Sequence, residues 1–371
     1  GMRVLILCYF MNNGGAERVA ATWANGLAAL GHDLAVYCDF SEPQTYTLDQ
    51  AVRKISSPHW KASSKWQKLT RSLRTAASLL HAVRDFKPDV IISVMHSFTR
   101  ELLLVRPLLP PFKFLSTEHS SFERPSSAPF TSYEHYKKYS LNKRYDAVTV
   151  LTAPDKALAE AAGVRNVEVL HNPLFATPLD HIPDKEKVVL AVGRINEWHV
   201  KGFDVLIKAW RKIADRHTDW HLRIVGSSDT KSLDYMHSLA EGCRGIEFKD
   251  YTTDILDEYR RAAIFCLSSR YEGWGLVLVE AMSQRCACVA CDYKGRQAEI
   301  ITDGVDGLLC VPDDVDALAA KLDLLISDDN KRQELQQASA NNLGQYSPDK
   351  ITLQLQSILD TILPRSGRRQ V

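Results

Sequence analysis

Apolar runs of strand length alternate with helical patterns along nearly the whole chain, and they form two series. The first series begins at residue 3 and ends near residue 170, and the second begins at residue 188. Strands that alternate with helices predict a parallel sheet covered by helices on both faces. We therefore predict two α/β domains, because 371 residues also exceed one core of ordinary size.

A polar segment with three prolines, residues 172–187, separates the two series. We therefore predict an N-terminal domain over residues 2–172 and a C-terminal domain over residues 173–347. Ligands of such sheets bind outside the carboxyl ends of the strands, which predicts a crevice between the two halves. The predicted strands are residues 3–9, 34–38, 89–94, 113–116, 147–151, 168–170, 188–193, 222–226, 246–248, 264–267, 287–291 and 308–311. The predicted helices include residues 16–30, 203–216, 231–241 and 254–262, with a helical tail over residues 314–362.

The composition is that of a soluble globular protein, with 45% hydrophobic and 25% charged residues. A net charge of +1 gives no argument for nucleic-acid binding, so we expect no nucleic-acid partner. No apolar run is long enough to span a bilayer, and no secretory signal precedes the first strand. These features predict a cytoplasmic protein, whose eight scattered cysteines are expected to be reduced thiols.

Residues 268–282 run from an apolar strand through a loop with two glycines into a helix. Such a turn forms an anion site, because free backbone N–H groups and the positive end of the helix dipole face one point. Glu272 and Glu280 flank this point. Carboxylates beside a phosphate are useful when they bind another part of the same ligand, and sugar or ribose hydroxyls fit. The segment therefore predicts a sugar-nucleotide site.

Two cations follow the predicted strand that ends at Gly193. Arg194 comes directly after it, and Lys201 lies seven residues further on, at a helix start. An arginine that contacts two oxygens and a lysine that acts as a point charge suit a diphosphate. Two solvated surface cations would give the same pattern, but the nearby segment 268–282 favours the diphosphate.

Four other candidates also have structural interpretations. Glu280 could complement the helix dipole, and Glu272 could pair with Arg270. His96 and His119 each follow a predicted strand, which places them at the edge of the crevice. A lone histidine is more often structural, so the sequence leaves both alternatives open.

We predict no divalent metal. Asp314 and Asp316 resemble a metal-binding pair, but they lie at a helix start, where aspartate is the usual cap. The cysteine-rich run of residues 286–291 is typical of a short buried strand, and no second pair at zinc spacing accompanies it. Arg194, Lys201 and the helix dipole would supply the positive charge instead.

A basic segment, residues 61–87, combines many cations with an apolar stripe. One interpretation is a helix packed on the core with a solvated polar face. The other is contact with anionic lipid headgroups or with a phosphate-bearing acceptor. The stripe consists of Trp66, Leu69, Leu73, Ala76, Ala77, Leu80 and Val83.

Over nearly its whole length the chain resembles the family-4 retaining glycosyltransferases, which have the GT-B fold: two Rossmann-like α/β domains facing across a cleft. The segment 117–120, Thr-Glu-His-Ser, is similar to that of members that elongate polyisoprenyl-diphosphate-linked oligosaccharides. The motifs that carry the resemblance are Glu272-x7-Glu280, Arg194 with Lys201-Gly202, the glycine turn of residues 13–18, Asn172-Pro173 and residues 299–308.

The resemblance implies a role for each matching residue. Arg194 and Lys201 would hold the donor diphosphate, and Glu280 would bind the ribose. Glu272 would contact the transferred sugar, and His119 would line the reacting centre. The catalytic set is thus His119, Glu272, Arg194 and Lys201, and the donor-binding set is Gly15, Arg194, Lys201, Gly226, Glu272, Gly273, Trp274, Gly275, Leu276 and Glu280. A helix within residues 348–371 would cross back onto the N-terminal domain.

Two departures from the family pattern stand out. Residues 226–229 read Gly-Ser-Ser-Asp where many relatives carry Gly-x-Gly, which leaves the nucleotide base open. Trp274 stands where phenylalanine or leucine is commoner, and we expect it to reshape the sugar pocket.

The implied activity is metal-independent, retaining transfer of a hexose or N-acetylhexosamine from a UDP- or GDP-sugar to a lipid-linked or cell-surface glycan. No residue is placed as a covalent nucleophile, so we predict attack of the acceptor on the face from which the diphosphate leaves. Such an enzyme would serve polysaccharide or lipopolysaccharide biosynthesis, peripherally on the inner face of the membrane. The alternatives are a nucleotide-sugar epimerase of the same fold and a non-catalytic sugar-nucleotide-binding subunit.

Overall fold

The structure, a computed structural model, describes residues 1–12, 14–59 and 61–364. They form two compact units. Among the described residues, the first unit contains those within 1–123, 130–173 and 348–364, and the second contains residues 124–129 and 174–347. Asn13 of the glycine turn and residues 365–371 of the C-terminal segment lie outside the described residues.

The first unit contains a parallel sheet with helices between its strands. The strands are β1 (Arg3–Leu7), β2 (Asp33–Cys38), β3 (Val52–Ser56), β4 (Val90–Val94), β5 (Lys113–Thr117), β6 (Ala147–Val150) and β7 (Val167–Val169). They lie in the order β3-β2-β1-β4-β5-β6-β7, so the order reverses between β1 and β4. The helices are α1 (Gly15–Ala29), α2 (Lys65–Phe86), α3 (Thr99–Val105), α4 (Ser132–Tyr139) and α5 (Ala153–Ala161).

The second unit repeats this plan. Its strands are β8 (Glu186–Val192), β9 (His221–Val225), β10 (Ile246–Lys249), β11 (Ala262–Leu267), β12 (Ala287–Cys291) and β13 (Leu308–Cys310). All are parallel, in the order β10-β9-β8-β11-β12-β13, with the reversal between β8 and β11. The helices are α6 (Trp198–Lys201), α7 (Phe203–Ile213), α8 (Thr230–Ala240), α9 (Ile255–Arg261), α10 (Leu276–Ser283), α11 (Val315–Ser327) and α12 (Asp329–Ser339).

After the second unit the chain returns to the first as α13 (Pro348–Ile362), which packs against α1. Ile351, Leu355 and Leu359 of α13 are fully buried. Gly26 of α1 permits the close approach, because an ideal Cβ there would lie 2.7 Å from Cγ2 of Thr352. Every helix that the structure describes is too short or too polar to cross a bilayer.

Strands β4, β11 and β12 are buried along their whole length. A parallel sheet covered on both faces removes each central strand from water, which explains their continuous apolar sequences. Each unit has its own apolar core, built around Phe114 and Tyr145 in the first and around Trp210 in the second.

The structure contains one strand that the sequence did not predict, and it ends one predicted helix early. The edge strand β3 was not predicted, because three of its five side chains are exposed and its sequence lacks an apolar run. The predicted helix over residues 203–216 ends as an α-helix at Ile213 and continues as one 3₁₀ turn. The helical patterns predicted over residues 314–362 are confirmed as three helices: Asp328 caps α12, and residues 340–347 separate it from the helix that begins at Pro348.

The apolar stripe of the basic segment is buried only in part. Trp66, Leu69 and Leu73 are 72%, 52% and 54% exposed, whereas Ala76 and Val83 are buried. Of the remaining members of the stripe, Ala77 is exposed and Leu80 is half-buried, so the interpretation of the stripe as core holds only for Ala76 and Val83.

Candidate active site

The loops that follow β8 and β11 lie side by side where the order of the second sheet reverses. The first loop leads from Gly193 to Gly202 and carries Arg194 and Lys201. The second leads from Ser268 to Gly275 and carries Glu272. A reversal between neighbouring strands opens a crevice at their carboxyl ends, which is where open α/β sheets bind ligands.

The structure brings Lys201 and Glu272 together. The ammonium nitrogen Nζ of Lys201 lies 3.4 Å from Oε2 of Glu272, and both side chains are 19% exposed. Ser269 Oγ donates a hydrogen bond to the same oxygen at 3.0 Å. The methylene groups of Lys201 lie across Gly193, where an ideal Cβ would be 3.3 Å from three of them. The lysine is therefore held in place by its stem as well as by its charge.

Arg270 does not pair with Glu272, which was the alternative that the sequence left open. Its guanidinium forms two hydrogen bonds of 2.8 Å to the carboxylate of Asp204, in bidentate geometry. It also donates to the backbone carbonyl of His199 at 2.7 Å. The side-chain bond to Asp204 raises the pKa of Arg270, and this pair clamps the loop after β11 to the start of α7.

The two loops are also joined through their backbones. Gly202 has φ of 66°, in the left-handed region, and an ideal Cβ there would lie 1.9 Å from the carbonyl oxygen of Ser268. Ser268 Oγ donates to the carbonyl of Lys201 at 2.8 Å, and Arg270 N donates to that of Val200 at 2.9 Å. Glycine is required at residue 202 for both conformation and space.

Arg194 points to solvent, whereas Gly226 has a packing role. The side chain of Arg194 is exposed, and its guanidinium forms no hydrogen bond or ion pair with any other residue that the structure describes. An ideal Cβ at Gly226 would lie 1.8 Å from the carbonyl oxygen of Gly193. Gly226 thus allows the loop after β9 to approach the loop after β8, and Ile195 N donates to the carbonyl of Ser227 at 2.8 Å.

Helix α10 begins at Leu276 behind Gly275, whose φ is 125°, and no side chain caps its N-terminus. Glu280 is its fifth residue and is half-buried. The indole of Trp274 is buried in the second unit and meets the ring of Tyr346 edge-on, with centroids 5.0 Å apart. The ring of Trp274 therefore packs in the interior of the second unit, and a contact between this residue and a sugar stays a prediction.

His119 lies in the first unit, two residues beyond β5, and is half-buried. Its Nδ1 lies 3.0 Å from Oδ1 of Asn172, and its Nε2 lies 3.1 Å from Oγ1 of Thr117. Burial lowers the pKa of His119, while the bond to Asn172 opposes that shift. The imidazole is therefore neutral near pH 7, with Nδ1–H donating to Asn172. The sequence contained Asn172-Pro173 but gave no sign of this contact.

The residue that precedes His119, Glu118, is the centre of a buried hydrogen-bond network. It accepts hydrogen bonds from Asn142 at 2.9 Å and from Lys138, and it lies 2.7 Å from Nε2 of His96. Burial alone would raise the pKa of Glu118, but Lys138 and His96 hold it well below its usual range. His96, weighed above as a crevice residue, is thus a buried bridge to Tyr145, whose hydroxyl lies 2.9 Å from Nδ1.

At the glycine turn of the first unit, packing does not require glycine at residue 15. An ideal Cβ at Gly15 would meet nothing within 4 Å, whereas one at Gly14 would clash with the carboxylate of Glu17. The approach of a ligand to Gly15 therefore stays a prediction.

The metal-like patterns have structural roles. Asp314 caps α11 by accepting from the N–H of Ala317 at 2.9 Å, which confirms the predicted cap, and Asp316 pairs with Lys212. All eight cysteines are free, and seven of them are buried. Within residues 1–12, 14–59 and 61–364, no three metal-binding side chains come together.

Two family sequence models match the chain. The model "Glycosyltransferase Family 4" matches residues 13–174, and "Glycosyl transferases group 1" matches residues 180–342. The amylovoran biosynthesis glycosyltransferase AmsD of Erwinia amylovora is 28% identical, over 94% of this chain and 97% of its own length. An undecaprenol-linked oligosaccharide α-1,4-N-acetyl-D-galactosaminyltransferase of Campylobacter jejuni is 27% identical, over 94% of each chain.

Solved structures agree on the fold. Sucrose-phosphate synthase from Thermosynechococcus elongatus superposes with a TM-score of 0.78 at 18% identity, covering 97% of this chain and 98% of that one. HepE of Anabaena, in complex with UDP and glucose, gives a TM-score of 0.72 at 17% identity, covering 97% and 100%. With both halves matched by family models, and with two parallel-sheet α/β units, the chain belongs to the group 1 glycosyltransferases of GT-B fold.

Proposed function

We propose that this glycosyltransferase moves a hexose or an N-acetylhexosamine from a nucleoside-diphosphate sugar to a lipid-linked or cell-surface glycan. The observation that carries the proposal is the meeting of Lys201 and Glu272 at the reversal point of the second sheet. A cation for a diphosphate and a carboxylate for sugar hydroxyls then stand within one hydrogen bond of each other. The HepE complex supports a UDP-sugar as donor, and the two glycan-building relatives support the acceptor class.

In the proposed reaction the anomeric carbon loses its bond to the diphosphate and gains one to the acceptor oxygen. The acceptor proton passes to the departing phosphate, on the same face, so the anomeric configuration is retained. Arg194, Lys201 and the uncapped N-terminus of α10 stabilise the negative charge that develops on the leaving group. These positive groups do the work that a divalent metal would do, so we propose that none is required.

We further propose peripheral contact of the basic segment, residues 61–87, with an anionic membrane at its cytoplasmic face. The exposed side chains of Trp66, Leu69 and Leu73 stand at helical spacing beside several cations. Apolar side chains that enter an interface and cations that meet anionic lipids are the two parts of such a contact.

The test is a transfer assay with a panel of UDP- and GDP-sugars and a polyisoprenyl-diphosphate-linked glycan. We expect nucleoside diphosphate to be released only when acceptor is present, with unchanged turnover in EDTA. NMR of the product should show the anomeric configuration of the donor. Epimerised donor without acceptor, inversion, or loss of activity in EDTA would each contradict the corresponding part of the proposal.

Lys201→Ala is the decisive variant. We expect turnover to fall about 10²–10³-fold, because a preorganised cation is lost from the leaving group. Lys208→Ala is the matched control, since Lys208 is an exposed lysine on α7. Near-normal transfer by Lys201→Ala, or an equal loss in the control, would argue against this donor site.

A further inference from the structure

A cavity of about 520 Å³ lies within the first unit, at the carboxyl ends of β1 and β4. Tyr9, which follows β1, lines it, and so do Met95 and His96, which directly follow β4. The order of the first sheet reverses between these two strands. Because open α/β sheets bind ligands at such a reversal, the topology favours a binding site here.

The charge of the cavity is strongly positive. Among its lining residues, Lys68 and Arg71 come from α2, Arg100 from α3 and Lys137 from α4, against the single carboxylate of Glu101. The side chains of Lys68 and Arg100 are exposed, and their charged groups form no hydrogen bond or ion pair with any residue in the described part of the chain. Cations that converge from three helices favour an anion with several oxygens, such as a phosphate or diphosphate.

The cavity is also bordered by exposed apolar side chains. Leu69, Met95 and Leu104 line it and are 52%, 46% and 64% exposed. Neighbouring apolar side chains left in water mark a surface that a partner covers. Apolar groups beside cations match a ligand that carries its phosphate on a hydrocarbon chain.

The turn at the base of the cavity holds an unfavourable backbone conformation. Met95, His96 and Phe98 have φ of 49°, 60° and 58°, in the left-handed region that residues with a Cβ rarely occupy. The bonds of His96 to Tyr145 and Glu118 hold this turn in place. Backbone strain of this kind concentrates at ligand sites, and here it orients lining residues of the cavity.

We propose that this cavity binds the phosphate or diphosphate of a carrier lipid, with the cations on the oxygens and the apolar rim on the first carbons of the chain. The inference rests on the proposed function, because the carrier lipid is the part of the acceptor to which the glycan is attached. Phospholipid headgroups offer the same chemistry from a different source, and the experiment separates the two.

Calorimetry on the full chain provides the test, with farnesyl diphosphate as probe. We expect it to bind more tightly than either inorganic pyrophosphate, which lacks the chain, or farnesol, which lacks the charge. The double variant Lys68→Gln/Arg100→Gln should weaken binding at least about tenfold, because two charge-assisted contacts are lost. Lys65→Gln/Arg74→Gln, which removes equal charge from exposed positions of α2 outside the cavity, should change it less than about twofold.

Three results would overturn the inference. Equal weakening in both double variants would mean general charge attraction, and loss of binding in Lys201→Ala would place the probe in the donor site. The third result combines two measurements: the wild type does not bind farnesyl diphosphate, and both double variants bind phosphatidylglycerol vesicles equally more weakly than the wild type does. This result would assign the surface to bilayer headgroups. Nucleotide-sugar binding is measured separately. If the wild type binds the nucleotide sugar and Lys201→Ala does not, the proposed function stands whichever of these three results is found. Circular dichroism checks that all variants fold.

Discussion

His119 is fixed on both ring nitrogens, by Asn172 on one side and by Thr117 on the other. This arrangement suits a neutral imidazole, which donates from Nδ1 and accepts at Nε2. Protonation would put a charge into a half-buried site, which burial disfavours. The pKa of His119 therefore lies below its ordinary value of 6.5, and the neutral form dominates at pH 7.

For His119→Ala we expect donor binding to be retained and transfer to fall about 10²-fold, since every proposed donor-binding residue except Gly15 lies in the second unit. Wild-type transfer should decline only when the pH falls below 6.5, as the ring becomes protonated. Asn172→Ala keeps the ring but removes the bond that raises its pKa, so its NMR titration midpoint should move further down. Calorimetry with the donor, pH–rate profiles and imidazole NMR measure these effects.

Two outcomes would contradict this account of His119: loss of donor affinity in His119→Ala, or a midpoint above 6.5. The direction of this pKa shift also determines how His119 affects the stability of the fold. The unfolded chain binds this proton more readily than the folded one, so this group lowers the free energy of unfolding as the pH falls through 6.5.

At the scale of elements, the donor region consists of two loops locked to each other rather than of one motif. Gly202 sits at the junction of α6 and α7 and touches the carbonyl of Ser268 in the other loop. The bidentate pair between Arg270 and Asp204 joins the same two segments. The position of Lys201 therefore depends on both loops.

Gly202→Ala should destabilise the protein in two ways, because the new Cβ disfavours the positive φ and also clashes with the carbonyl oxygen of Ser268. Gly242→Ala is the matched control, because Gly242 also has positive φ, 73°, but a Cβ there meets nothing within 4 Å. We expect the control to lower the free energy of unfolding by about 1 kcal/mol and Gly202→Ala by at least about 2 kcal/mol more. Urea denaturation measures both free energies of unfolding. Equal losses in the two variants would show that the close approach to Ser268 does not contribute to the effect.

The sequence predicted those elements whose environment is reflected in their own consecutive residues. Strands β4, β11 and β12 were predicted because a doubly covered strand is apolar at every position. The partners of Glu118 could not be predicted, since Lys138 and Asn142 lie twenty or more residues away and show no pattern that marks them as buried. The hydrogen bond from His119 to Asn172 escaped prediction for the same reason, because it joins positions 53 residues apart.

At the scale of the whole molecule, the first unit is assembled from separate stretches of chain. Helix α13 covers α1, and Nε2 of His32 lies 2.7 Å from Oε1 of Gln356. We expect Leu355→Ala to lower the free energy of unfolding by about 2–5 kcal/mol, because its side chain is fully buried. Leu353→Ala, at a position 47% exposed on the same helix, should cost less than about 1 kcal/mol. If urea denaturation showed similar losses of unfolding free energy for the two variants, the packing of α13 would not depend on the buried face that contains Leu355.

The return of α13 has a consequence for biosynthesis. The ribosome delivers this helix only after it has translated the whole of the second unit, so the first unit reaches its full complement of contacts last. Nascent protein would then carry a bare apolar groove on α1 throughout most of its elongation, a natural target for chaperones. Domains usually mature in the order in which they are translated, and here that order is reversed.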